Sequence, residues 1–378
     1  MSIIYAHSDE TGAPVLNNAA GSLNAILHAV LVTGWRVQTL TSLVVAGGVA
    51  TATLAAHGYS DGAVVEISGA TPSALNGQWP ITVTGSGTFT FPTTATAGTA
   101  TGTISVKRAA AGWTRTHNSG NVSIYGRTDP LATSMSLYVN DSATAPEMAE
   151  VRMVWGVTDI ATWANQAPAT GAYYWPKGQN SSAAKKWIVV ADERTAYLWL
   201  DNSDWPASSY NGVPMGLYAF GDIAGDAVNN AFDCLLSGAS SGNGAGSGQM
   251  AESRPIGTSG PNGSGLMARN FTGIGSPAFV WPATPVWGVM GGSGPVFPSP
   301  VDNGLRLHAP ALLQENNTTF NYPLRGALRG VALPLTNVPF AAHRTVIPVA
   351  GSTRRWILLN FRQQTTYGCV AMDLTGPW

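Results

Sequence analysis

SLVVAGGVATATL, residues 42–54, reads as two short strands folded about the Gly47-Gly48 pair. Val, Thr and Leu suit a pleated, half-buried strand, and a diglycine supplies the two left-handed residues of a tight hairpin turn. The same pattern continues downstream. AVVEIS (63–68), WPITVT (79–84) and TFTFP (88–92) follow, separated by Gly, Ser, Asn and Pro. Residues 38–106 contain only two charged side chains, Asp61 and Glu66. Strands this short and this closely spaced predict a compact β-module, a small barrel or sandwich. Its expected limits are 38–111. Similar contexts flank it, Gly34-Trp35-Arg36 and Gly112-Trp113-Thr114, so it reads as an insertion into a host domain. Exposed loops with neighbouring ends tolerate such insertions.

Upstream, Leu23, Ile26, Leu27, Val30 and Leu31 recur at the spacing of one buried helical face. Ser22 is the expected cap and Gly34 the stop, and His28 falls off the apolar face toward solvent. Downstream, SLYV (136–139), EVRMVWGV (150–157), KWIVVA (186–191), AYLWLD (196–201) and GLYAFGD (216–222) read as strands, with ADER (191–194) as a hairpin turn. The fold class is therefore mainly β with a minor α+β part. The host domain comprises 1–37 and 112–236. Residues 237–265, opening on SGASSGNGAGSG, form a Gly/Ser-rich linker or assembly loop. A C-terminal β-rich domain takes 266–378, with VWGVM, RLHAPALL, RTVIPV, RWILLNF and YGCVAMDL as its strands and the last two as a hairpin. No short regular repeat is present, which disfavours a parallel β-helix.

Charged residues make up 10% of the 378, against about 25% in ordinary soluble domains. Turn formers are dense, with 44 Gly and 24 Pro. A surface so thinly charged is poorly protected against association, which points to a subunit walled in by neighbours. The net charge of −1 gives no general attraction to nucleic acid or an anionic membrane. The charges are unevenly spread. Between Asp192 and Asp233 there are seven acids and one base, Arg194; from Arg254 onward there are nine Arg, no Lys and three acids. Arg suits protein interfaces through planar, bidentate contacts. Arg325, Arg329, Arg344, Arg354 and Arg355 on one side, and Asp192, Asp201 and Asp204 on the other, are the candidate interface residues, for docking within or between subunits.

Signatures of catalysis are weak. Gly238-Ala239-Ser240-Ser241-Gly242 matches G-x-S-x-G, yet NGAGSG follows where a nucleophile elbow needs a helix. Asp201-Asn202-Ser203-Asp204 offers oxygen ligands but lacks the Gly and distal Glu of a calcium loop, and a turn is the plainer reading. Asp192 and Glu193 are adjacent, so by themselves they do not pair across a sugar. The six histidines have no metal-site spacing, and Cys234 and Cys369 sit in apolar runs as buried free thiols. No catalytic residue, metal or cofactor is assigned. Most of the thirteen tryptophans, Trp155, Trp163, Trp175, Trp187, Trp199, Trp205, Trp281 and Trp287 among them, belong in or beside strands. Most of these are expected in the core; interface anchoring for some and stacking on a host glycan are the other readings, which the sequence does not separate. The N-terminus lacks the pattern of a signal peptide, and no run reaches the roughly 18 apolar residues of a membrane helix.

VVAGGVATATL, HGYSDGAVVEISGA, LNGQWPIT and TFTF, within 44–107, resemble a β-module of tailed-bacteriophage virion proteins, of the kind labelled by shape after the FCCH half-domain of ubiquitin-activating enzyme. Thr11-Gly12-Ala13-Pro14, GWTR, SIYGR and the terminal DLTGPW are similar to the flanks found in such proteins. The resemblance implies a virion structural protein of the tail or baseplate type and no ubiquitin chemistry. The expected role is non-enzymatic: a minor tail or baseplate subunit, assembled in the host cytoplasm, forming a three- or six-fold homo-oligomer against other virion proteins. A head decoration or connector-region protein, and a tail module binding a bacterial surface receptor, are the alternatives.

Overall fold

The computed structural model describes residues 2–142, 148–177, 182–201, 215–225, 231–238, 265–283, 301, 307–334, 345–348, 354–363 and 366–378. The chain is mainly β, built of antiparallel sheets around one helical segment.

Residues 35–108 build two sheets whose strands pair only with one another. One has the order Trp35–Thr39, Ser105–Arg108, Val64–Ser68, Gly77–Pro80; the other runs Thr82–Gly85, Thr88–Pro92, Val49–Thr53, Ser42–Ala46, Gly98–Thr99. Strict alternation in SLVVA and VATAT turns Leu43, Val45, Ala50 and Ala52 inward to meet Val65, Ile67, Phe89, Phe91 and Val106. Ala46 lies opposite Val49, and Gly47 and Gly48 take φ of 57° and 78°, the left-handed pair of a type I′ turn. The paired unit is 35–108 rather than 38–111, because Trp35 is already opposite Arg108. Entrance and exit touch there: a Cβ on Gly34, where φ is 69°, would collide with the Arg108 carbonyl oxygen.

The helix Ser22–His28 continues as a π-helical turn, Ala29–Thr33. Leu23, Ile26, Leu27, Val30 and Leu31 are all buried. Its cap differs from the expectation. Ser22 Oγ donates to the Asn17 carbonyl at 2.6 Å, while the Leu23 and Asn24 N–H groups donate to Asp141 Oδ2 at 2.8 and 3.1 Å. His28 is half-buried rather than solvent-side, and burial, then Arg115, lowers its pKa.

The helix lies in one core with two sheets. The first is six-stranded, in the order Thr114–Ser119, Val122–Gly126, Ser136–Asn140, Met148–Asp159, Thr162–Ala167, with Tyr173–Pro176 also on Met148–Asp159. The second has thirteen strands. It runs from Ile4–His7 through Lys186–Ala191, Thr195–Asp201, Met215–Asp222, Cys234–Ser237, Gly265–Met267 and Ala278–Pro282. It continues through Leu307–Glu315, Leu324–Pro334, Thr366–Asp373 and Arg355–Gln363 to Thr345–Pro348, with Ala224–Gly225 pairing beside the path on Leu324–Pro334. Pairing of Met215 with Arg362 curls it back on itself around a second core that includes Ile188, Tyr197, Trp199, Leu217, Leu313, Ile357 and Val370. Burial on both faces explains why KWIVVA is a continuous apolar run.

Leu235 pairs with Met267, so strands on both sides of the Gly/Ser tract are neighbours in this sheet. The expected host and C-terminal domains thus share one sheet, since pairing across the tract is set by non-local register, which composition does not display. The tract from 239 to 264 and VWGVM (286–290) lie outside the described residues. Pairing of Gln363 with Thr366 forms the expected last hairpin.

Candidate functional site

Several charged side chains of the body are turned inward and paired. Arg329 Nη2 lies 2.8 Å from Asp192 Oδ2, and Arg325 Nη1 lies 2.7 Å from Glu315 Oε2 with Asp233 at 3.6 Å. Asp222 is held by Arg127 at 2.5 Å and Arg194 at 3.1 Å. Arg354 pairs with Asp373. The acidic segment and the Arg-rich C-terminal part therefore dock within the chain. Arg325, Arg329 and Asp192, expected as interface candidates, are buried in these pairs and present no charge to a neighbour. Arg354 is exposed, and half-buried Arg355 reaches Gly62 of the inserted module. Asp201 contributes a strand position opposite Lys186 and Met215, while Asp204 and Arg344 lie outside the described residues.

The candidate chemistries do not assemble. Asp192 Oδ1 accepts the N–H groups of Arg194 and Thr195, closing the ADER turn, and Glu193 is half-buried beside it. Burial raises the Asp192 pKa, with Arg329 pulling it down. The neighbouring Glu193 carboxylate raises it further, as an adjacent member of the same turn. Ala239 to Gly242 of the G-x-S-x-G match, and Asn202 to Asp204 of the oxygen-rich turn, lie outside the described residues. His57 is a core residue, its Nδ1 accepting the Tyr59 N–H and its Nε2 bonded to the Gly85 carbonyl. Burial pushes the Cys234 thiol up to about 11 and that of Cys369 to about 12. Among the described residues no three His, Cys, Asp or Glu gather as a metal site.

Two surface features remain. The first is a groove of about 580 Å³ between the edge strand Thr162–Ala167 and the loop 268–277. Trp155, Trp163, Asn165, Gln166, Arg269 and Ser276 are among its lining residues. Trp155 sits opposite Asn165 and Val157 opposite Trp163 across the hairpin. Gly156 between them is left-handed, with φ of 66°, so the burial alternation changes phase there. Trp155 packs toward the helix-side core and Trp163 toward the opposite face of the sheet, with Tyr138. Trp163 is fixed. Its Nε1 donates to Gln166 Oε1 at 3.0 Å, Arg152 Nη1 donates to the same oxygen at 3.2 Å, and the Tyr138 ring is 5.2 Å away.

The second is an exposed aromatic cluster. Phe320 is 60% exposed, with Phe279, Tyr322 and Leu324 also open to solvent. Phe271 and Phe320 lie 4.9 Å apart and Trp281 and Tyr322 5.5 Å apart. Asn321 and Tyr322 are both left-handed, with φ of 55° and 57°. Asn tolerates that conformation, whereas it costs roughly 1–2 kcal/mol for an ordinary L-residue such as Tyr322.

No protein-family model matches the chain, and no curated protein is similar to it. The groove escapes sequence reasoning because its walls are about a hundred positions apart; the two indoles were legible only as members of a large Trp set.

Proposed function

We propose that the chain is a structural, non-enzymatic subunit of a bacteriophage particle, placed in the tail or baseplate and working through contact with neighbouring subunits. The observation that carries this reading is the disposition of charge. Glu10, Arg108, Asp141, Lys177, Lys185, Asp192, Asp222, Asp233, Glu315, Arg325, Arg329 and Asp373 are buried, so an already small charge complement leaves still less on the surface. Exposed Val37, Leu131, Ile274 and Phe320 accompany this depletion. Few charges and exposed aromatic rings favour burial against partners. The separately paired module of 35–108 supports the same reading, since its sequence carries the resemblance to virion β-modules. It is anchored to the body by buried Arg108, which lies 2.7 Å from Glu10 and also donates to the Tyr5 carbonyl.

Mass spectrometry of washed particles, combined with gold labelling of the chain, tests the proposal. The expected result is stoichiometric chain and label at the tail end. Absence from washed particles refutes the structural role, and label on the head moves the subunit to the shell or connector. For the purified chain, light scattering is expected to show a trimer or hexamer, and Phe320→Asp to weaken it.

A further inference from the structure

We propose that the groove between Thr162–Ala167 and loop 268–277 is an oligosaccharide-binding site, an assignment independent of where the chain resides. Sugar rings combine apolar C–H faces with a rim of hydroxyl groups. A protein recognises them by indole faces flanked by neutral donors and acceptors. The groove supplies both. Trp155 and Trp163 are half-buried at its wall, and Trp163 is held by Gln166, Arg152 and Tyr138. A platform fixed before binding loses little freedom when a ligand arrives.

The polar groups divide in an informative way. Gln166 is committed internally, its Nε2 donating to the Pro168 carbonyl at 3.0 Å while its oxygen serves Trp163 and Arg152. By contrast, the Trp155 indole N–H, the Asn165 amide and the Ser276 hydroxyl take no partner among the described residues. These neutral groups match hydroxyl groups. Among the described residues the lining contains no carboxylate, so the proposed role is binding of a sugar without the acid–base pair that glycoside hydrolysis requires. A volume of about 580 Å³ lies within the roughly 300–1,000 Å³ typical of ligand pockets. An extended peptide added to the Thr162–Ala167 edge is the rival occupant. The solvent-facing polar side chains and indole faces favour the sugar, since strand addition would use the backbone.

The test uses the full chain against immobilised chitotetraose, maltohexaose and a uronate tetramer, with a Thr-Val decapeptide as the rival ligand. Calorimetry with the best sugar follows. Saturable sugar binding is expected, falling about tenfold or more in Trp163→Ala, as for an aromatic hot spot. Asn165→Ala, an exposed change that leaves the packing intact, is expected to fall severalfold with an unchanged melting temperature. Should Trp163→Ala unfold, Asn165→Ala decides alone. Binding of none of the three sugars, binding of the decapeptide only, or sugar binding indifferent to Asn165→Ala overturns the proposal. These readouts do not depend on particle location, so the site and the virion role fail separately.

Discussion

Replacing Asp141 by Ala should be among the most damaging single changes in this chain. Its carboxylate caps the helix through the Leu23 and Asn24 N–H groups and pairs with Lys177, and both side chains of that pair are fully buried. Loss of a cap costs about 0.5–2 kcal/mol, and stripping one partner from a buried ion pair costs about 3–5 kcal/mol. The Lys177 ammonium also donates to the Ala19 carbonyl at 3.1 Å, and a neutral carbonyl does not replace the carboxylate. Together the two losses amount to about 3.5–7 kcal/mol, a large part of the roughly 5–15 kcal/mol that holds a typical domain. Asp141→Asn keeps an oxygen for the cap and isolates the second loss. The double variant Asp141→Asn/Lys177→Met removes both charges and is expected within about 1 kcal/mol of the parent, because well-packed neutral replacements of buried pairs are often tolerated. Urea unfolding followed by far-ultraviolet circular dichroism measures all three. If Asp141→Ala costs under about 1 kcal/mol, or the double variant is as weak as Asp141→Asn, the assignment of the broken buried ion pair as the dominant loss is refuted.

Three further outcomes follow from other parts of the molecule. Gly48→Val forces a β-branched residue into the left-handed turn and should cost about 1–2 kcal/mol, with faster amide exchange confined to 35–108; exchange accelerated throughout the body would contradict the module's separate pairing. Trp378→Ala removes a ring that lies over Gly330 and 5.7 Å from Tyr197, and should lower stability by about 1–3 kcal/mol in thermal unfolding. A thiol whose pKa is raised stays protonated below it, so Cys234 and Cys369, at about 11 and 12, should resist disulfide reagents at pH 8 until denaturant is added. Rapid labelling of the native chain at that pH would show that the thiols are not buried as described.

Local chemistry made much of the fold readable in advance. The Gly47-Gly48 turn, the buried face of the helix and the last hairpin each depend on residues within a few positions of one another, so spacing and turn chemistry reveal them. The uneven charge pointed to docking of the acidic middle on the Arg-rich end and left open whether within the chain or between subunits. What spacing cannot encode is which distant segments meet. Asp141 rather than Ser22 completes the helix cap, Leu235 pairs with Met267 across the Gly/Ser tract, and Arg329 closes on Asp192 inside the chain. The groove between Asn165 and Ser276 belongs to this second kind. Short-range preferences select helix, strand and turn residue by residue, whereas sheet order and burial emerge from the packing of the whole chain.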